Sequence, residues 1–317
     1  MLRNIFHLPP STPSLSLLVA LATATGCGLG EAGQTGRQRA DCADGVSSAC
    51  LEVGLKLLHG RQVFRDAGAA GPFLQQACDG EEWEGCYELG GMYRDGRGVG
   101  EEPRRAADLF EAACGAGHGA ACAELGLLHQ EGLGVRRDLA RAADLFEAAC
   151  DDGLGVNCWR LAVAFEGGQG REQSIVRAAE LYARACGDYD YGDACLRLGR
   201  VYRNGSGLAR DPRRAAILFE RGCDTGDVQS CAELAGMYAG GEGMTQDMEQ
   251  AAEFYRRACG RVRRGDGESC FHLAEMYQSG TGVEQSNREA ERYYNLACWN
   301  GYRAGCIPPP LSSSDST

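Results

Sequence analysis

RAADLFEAACGAGHGAAC, Arg105 to Cys122, is the stretch on which the reading of this chain turns. Its first ten letters return unchanged at Arg141 to Cys150, so the chain is built from repeats. Sixteen of the 17 cysteines group two by two, as Cys42 and Cys50, Cys78 and Cys86, Cys114 and Cys122, Cys150 and Cys158, Cys186 and Cys195, Cys223 and Cys231, Cys259 and Cys270, and Cys298 and Cys306. Successive groups start 36, 36, 36, 36, 37, 36 and 39 residues apart, and six of the eight have the form C-x₇-C. A period of this length replaces the usual count of domains with a stack of small units that share one elongated core.

The bulk composition narrows the function classes. A net charge of -12, with Lys56 as the only lysine, argues against nucleic acid and against anionic lipid surfaces, both of which need clustered cations. So many cysteines exceed what a reduced cytosol supports as free thiols, and an exported protein with disulfides is the economical reading. Structural zinc fits poorly: there is no C-x-x-C, the histidines number five, and none are spaced H-x-x-x-H. No cofactor or metal is expected.

Met1 to Gly26 reads as an export signal, with Arg3 ahead of the short apolar run LSLLVALA at Leu15 to Ala22. That run is too short to span a bilayer. Small residues Ala24, Thr25 and Gly26 then lead to Cys27, which resembles the lipobox of bacterial lipoproteins and makes Cys27 the candidate lipidation site. Ala24 stands where lipoboxes carry leucine, so cleavage that leaves Cys27 free is the other reading. Residues 27–40 read as a flexible tether, residues 41–306 as the repeat array, and residues 307–317 as a disordered tail.

Within a repeat the pattern predicts two helices. In the first, apolar or small residues lie three, four and seven after the second cysteine of a group, as in Leu89, Gly90 and Tyr93 or Leu198, Gly199 and Tyr202, which is one helical face. In the second, Ala142, Leu145, Phe146 and Ala149 show the same stripe counted back from Cys150. Acidic or proline starts at Glu102-Pro103, Asp138, Asp211-Pro212 and Asp247 suit helix N-termini. Between the helices stands G-x-G-hydrophobic, for example Gly205-Ser206-Gly207-Leu208, read as a turn that plugs one apolar side chain inward. No strand pattern precedes these glycines and no GK[ST] follows, so a phosphate loop is not indicated. The predicted class is all-α: a right-handed superhelical solenoid of seven antiparallel helix pairs with capping half-units.

The pattern L-G-x-x-Y-x-x-G-x-G-V followed by D-x-x-R-A-A-x-L-F-x-x-A resembles the Sel-one-like repeat, a short relative of the tetratricopeptide repeat, over about Asp41 to Cys306. With a C-x₇-C in nearly every unit, the chain is similar to the Helicobacter cysteine-rich protein family. That resemblance implies that each two-cysteine group is a disulfide tying the second helix of one unit to the first helix of the next. It also implies penicillin binding with weak β-lactamase activity, which the residues do not support as catalysis. Val53 stands three before Lys56, so no S-x-x-K can be written, and K-T-G and H-x-H-x-D are absent. His118 falls in a turn, His129 replaces the stripe tyrosine, and His59 and His272 fall on the exposed side. No catalytic residue is expected.

A protein or peptide binding scaffold is the better-supported reading, with first helices lining a concave surface. The residue two after the second cysteine lies off the apolar stripe and reads Glu52, Glu88, Glu124, Arg160, Arg197, Glu233 and His272, with Arg200 beside it on the same face. The sign changes along the row, and Arg160, Arg197 and Arg200 together suit a carboxylate-bearing ligand such as a peptide end or a peptidoglycan stem peptide. The competing readings are a plain solvated helix face and a rigid structural spacer. Arg264-Gly265-Asp266 is an adhesion-like tripeptide that reads as a solvated loop.

Overall fold

In the computed structural model, which describes residues 29–61, 63–260 and 265–309, each period becomes two antiparallel helices around a glycine turn. The helices run α1 Leu29–Ala43, α2 Ser47–His59, α3 Ala67–Asp79, α4 Trp83–Asp95, α5 Pro103–Gly115, α6 Gly119–Glu131, α7 Leu139–Asp151 and α8 Gly155–Gly167. They continue as α9 Ile175–Tyr189, α10 Gly192–Asn204, α11 Pro212–Asp224, α12 Val228–Gly240, α13 Met248–Cys259, α14 Gly267–Ser279 and α15 Asn287–Trp299, and a 3₁₀ turn at Arg303–Cys306 follows. Among the described residues there is no strand, which makes this the all-α repeat class that the periodicity predicts. The chain divides into two compact units at Leu109/Phe110.

In the first unit α1, α2, α3 and α4 pack in sequence order. Residues 29–40, expected as a flexible tether, are instead the larger part of α1. The reason is tertiary: Thr35 is buried, Gln38 accepts from Lys56 Nζ at 2.7 Å, and Arg39 lies over the Phe73 ring. The export signal, Cys27 and most of the expected tail lie outside the described residues.

The second unit repeats one packing scheme. Leu125, Leu198, Leu234 and Leu273, three after the cysteine, are all buried, as expected. Position seven is not: Tyr202, Tyr238 and Tyr277 are half-buried, and the buried partner is the residue before, Leu128, Val201, Met237 or Met276. On the second helices Phe146, Tyr182 and Phe219 are buried with the paired alanines Ala142 and Ala143, Ala178 and Ala179, and Ala215 and Ala216. The small residue at position four is explained by the ring it faces. A Cβ on Gly199 would sit 2.5 Å from Phe219, and one on Gly126 2.7 Å from Phe146.

Turn chemistry follows the glycines. Gly205 closes α10 in the left-handed region at φ +71°, its N–H donating to Val201 O, and Gly207 follows at φ +76°. A Cβ on Gly207 would also meet Ile175 at 2.7 Å, so the second glycine is required by contact as well as by φ. The apolar residue after it, Leu208, packs half-buried on the α8–α10 core rather than fully inside. Asp138, Asp211 and Asp247 cap their helices as expected, and Ser174, Asp227 and Ser286 do the same without having been singled out. Asp266, the last residue of the adhesion-like tripeptide, caps α14 by accepting from Ser269 N, and Arg264 lies outside the described residues.

All eight two-cysteine groups are disulfides, with Cα atoms 4.6 to 4.9 Å apart. Seven tie the end of one helix to the next helix, and Cys298–Cys306 ties α15 to the terminal 3₁₀ turn. A loop of about nine residues contributes roughly 2–3 kcal/mol per bridge in the chain-entropy model.

Candidate binding face

Residues two, five and eight after the cysteine follow one another at helical spacing, so they form a line beside the buried stripe of each first helix. In the first unit Glu52 accepts from Gln38, and Glu88 lies 3.6 Å from His59. In the second unit Glu124 and Arg160 are half-buried, and Arg197 is exposed. Through His59, Glu88 reaches the preceding first helix, α2, rather than merely facing solvent.

Position eight of one repeat meets position two of the next. Glu166 on α8 pairs with Arg197 on α10 at 3.2 Å, and Arg203 on α10 pairs with Glu233 on α12 at 2.6 Å, the same geometry with the charges exchanged. Arg200 adds a second contact to Glu233 at 2.7 Å. Arg203 continues to Glu242 at 2.8 Å, and Glu242 to Arg210 at 2.6 Å, so five charged groups form one chain across α10, α12 and their turns. Glu166 also accepts from the Tyr182 hydroxyl at 2.7 Å. Burial, reinforced by that hydrogen bond, pushes the Tyr182 phenol well above its usual range.

The expected cluster of Arg160, Arg197 and Arg200 is therefore not one free cationic patch. Arg197 and Arg200 each have a carboxylate from a neighbouring helix, because stacked first helices bring residues about 30 apart in sequence within reach. Arg160 stands apart, its Nε buried without an acceptor and its guanidinium 5.9 Å from the Phe146 ring centre. Glu166, Arg203 and Glu242 went unread in the sequence, although the same count from the cysteine would have found the first two.

Between α10, α12 and α14 this row opens into a depression of about 310 Å³, walled by Arg200, Arg203, Glu233, Tyr255, Asp266 and His272. His272, expected on the exposed side, is half-buried there, 5.3 Å from the Tyr255 ring and 3.2 Å from Glu275 Oε2. His118 caps α6 by accepting from Ala121 N at 3.2 Å, and His129 Nδ1 lies 3.3 Å from Arg136 O. Among the described residues no three His, Cys, Asp or Glu side chains gather as a metal-ligand set. The depression offers mixed charge, an aromatic edge and amide groups, the chemistry of polar recognition.

The model of the Sel1 repeat matches the chain seven times, at residues 47–81, 83–118, 119–154, 158–187, 192–227, 228–260 and 267–302. The chain belongs to the Sel1 repeat family. Among solved structures, this Sel1 repeat chain is similar to a protective antigen of uropathogenic Escherichia coli strains that displays an SLR fold, at 25% identity and a TM-score of 0.80. The match covers 86% of this chain and 57% of the antigen, so this chain spans little more than half of the longer protein. A Sel1 repeat protein from Oxalobacter formigenes shares the fold, with a TM-score of 0.73, 23% identity, and coverage of 90% and 81% of the two chains. Helicobacter pylori cysteine rich protein B matches at 25% identity over 42% of this chain and 93% of its own, with a TM-score of 0.34. No curated protein matches the chain in sequence.

The Sel1-repeat solenoid fold suggests a protein-interaction scaffold. Sixteen cysteines held in disulfides suit an oxidising, extracytoplasmic environment. No helix of the described residues is long and apolar enough to cross a membrane.

Proposed function

We propose that this chain is an exported scaffold, held to a bacterial membrane by a lipid on Cys27, that captures a protein or peptide of the cell envelope on its first-helix row. The observation that carries the reading is the depression between α10, α12 and α14, where three successive repeats converge charged side chains with Tyr255 and His272. Its walls carry both signs of charge. A ligand with both signs, such as a peptide segment, complements it better than a simple anion does. A peptidoglycan stem peptide, which carries both carboxylates and amines, is the non-protein version of the same ligand. Lipid attachment rests on the sequence alone, through the small residues before Cys27 and its exclusion from the repeat pairs.

The test is capture from an envelope extract by the immobilised chain, compared with an Arg203→Ala, His272→Ala variant. A specific partner should be lost from the variant and should elute at raised salt, while the melting temperature moves little. Identical capture by both proteins would remove the depression from consideration. Intact mass of the mature protein, before and after reduction and alkylation, checks the anchor: sixteen protected cysteines and a diacylglyceryl mass on Cys27 are expected.

A further inference from the structure

Seven of the eight disulfides place their second cysteine in the first turn of a 13-residue helix, where it is at most 4% exposed. The eighth breaks this rule. Cys298, near the end of α15, is half-buried, and Cys306, the last residue of the 3₁₀ turn, is exposed. The chain leaves Cys306 through Ile307-Pro308-Pro309, whose prolines cannot donate to a helical ladder, so no first helix forms there to cover the bridge. Trp299 and Ile307, beside the two cysteines, are exposed as well.

Thiol–disulfide exchange needs a sulfur that an external thiolate can approach and a partner sulfur that can leave as a thiolate. Apolar burial blocks the approach and disfavours the thiolate. Five of the bridges have both cysteines buried. Cys78 and Cys114 are half-buried, yet attack at either would expel Cys86 or Cys122 into the core, where they are 0% and 2% exposed. At the last bridge the attacked and the expelled sulfur both belong to residues that reach the surface.

We infer that Cys298–Cys306 is the thiol-exchange site of this chain, opened by an external dithiol while the other seven bridges persist. A thiolate of the dithiol bonds to Cys306 Sγ as the Cys298–Cys306 bond breaks, and Cys298 leaves as a thiolate that takes up a proton. The second thiol of the reagent, deprotonated, then displaces Cys306 from the mixed disulfide. The dithiol departs as its own disulfide, oxidised by two electrons, and Cys298 and Cys306 remain as two thiols. What opens is a small cap. Gly305 seats the turn on α15, since a Cβ there would lie 2.6 Å from Ala297 Cβ and 2.7 Å from Tyr294 O. Tyr302, just before the turn, packs on Phe271 at 5.3 Å and lies against Gly267 at the start of α14. Asn300 Nδ2 donates to Cys259 O at 3.2 Å whether or not the bridge is closed, so release stops short of α15 itself. The inference goes beyond the binding proposal and does not rest on it.

The test exposes the full oxidised chain, at neutral pH and without denaturant, to graded dithiothreitol, traps free thiols with excess N-ethylmaleimide and maps them by peptide mass. Cys298 and Cys306 should be labelled at least about tenfold faster than any other pair, with little change in melting temperature. Amide exchange in that product should rise at residues 299–307 and in the first turn of α14, and nowhere else in the second unit. Cys298→Ser with Cys306→Ser should remove the fast phase and leave labelling of the other pairs unchanged. Earlier or equal labelling of another pair, joint opening of all eight bridges, or no labelling until the chain unfolds overturns the proposal.

Discussion

A methyl group on Gly199 would lie 2.5 Å from the Phe219 ring, whereas one on Gly236, in the next first helix, would find nothing nearer than the Tyr255 hydroxyl at 3.9 Å. Both glycines are helical, so alanine gains about 1 kcal/mol of propensity at either site. At Gly199 overpacking of about 1–3 kcal/mol opposes that gain. Gly199→Ala should lower the midpoint of chemical unfolding, and Gly236→Ala should raise it or leave it unchanged. A second contrast concerns Ser174, whose hydroxyl accepts from Arg177 N at the start of α9. Ser174→Ala should cost about 0.5–2 kcal/mol in the same measurement. The requirement at Gly199 was legible because a glycine or alanine recurs four residues after the second cysteine of each of the first seven groups. The serine caps were not, since serine in a polar turn carries little signal until the helix start is known.

For an element, the question is which neighbour its charged side chains meet. Counting outward from the cysteine predicts correctly that position two lies off the buried stripe, yet it does not say that Arg197 reaches back to Glu166 or that Arg203 reaches forward to Glu233. Those contacts bridge separate helices on partly exposed surfaces, so each contributes on the order of 0–1 kcal/mol, and their effect is on recognition more than on folding. Removing both charges, Glu166→Gln with Arg197→Gln, which keeps an acceptor for Tyr182, should cost less than the sum of the two single changes. A double-mutant cycle by urea unfolding measures this, and a coupling near zero would mean that the rung is only an arrangement of solvated side chains. The buried position six, occupied by Met92, Leu128, Val201, Met237 and Met276, was missed for a different reason. A stripe drawn through positions three, four and seven is already complete for one helix face, and only a second packed neighbour widens it.

Taken whole, the molecule depends on local staples and buried phenols. Removing the bridge between α7 and α8 with Cys150→Ser and Cys158→Ser should cost about 2–3 kcal/mol. Hydrogen exchange should then rise most at the α7–α8 turn, because loops this short constrain only their own junction. Burial raises the phenols of Tyr182, Tyr191, Tyr255 and Tyr294 above the ordinary value of 10.0, with the Glu166 hydrogen bond second at Tyr182. The native state therefore holds these protons after the unfolded chain has released them. Their stabilising contribution is whole below about pH 10 and declines as pH rises beyond it, until the native phenols ionise as well. Denaturant midpoints between pH 9 and 11.5, taken quickly enough to avoid disulfide exchange, should fall with a slope that Tyr182→Phe reduces.

Sequence alone determined the features that close within one repeat: the period of about 36, the two helices, the left-handed glycine that ends each first helix, and the cysteines eight residues apart that sit where successive helices meet. Each depends on interactions over a few residues, and the repeat prints the same signal several times. The helix at residues 29–40 escaped because its polar, glycine-rich residues carry no helical stripe, and burial of Thr35 against the first unit sustains it. The character of the candidate face belonged to the tertiary structure. Whether an arginine is neutralised depends on which residue some 30 positions away is brought beside it, and that is set by the stacking of first helices. Hence Arg197 and Arg200 found carboxylates, while Arg160 lies near the Phe146 ring.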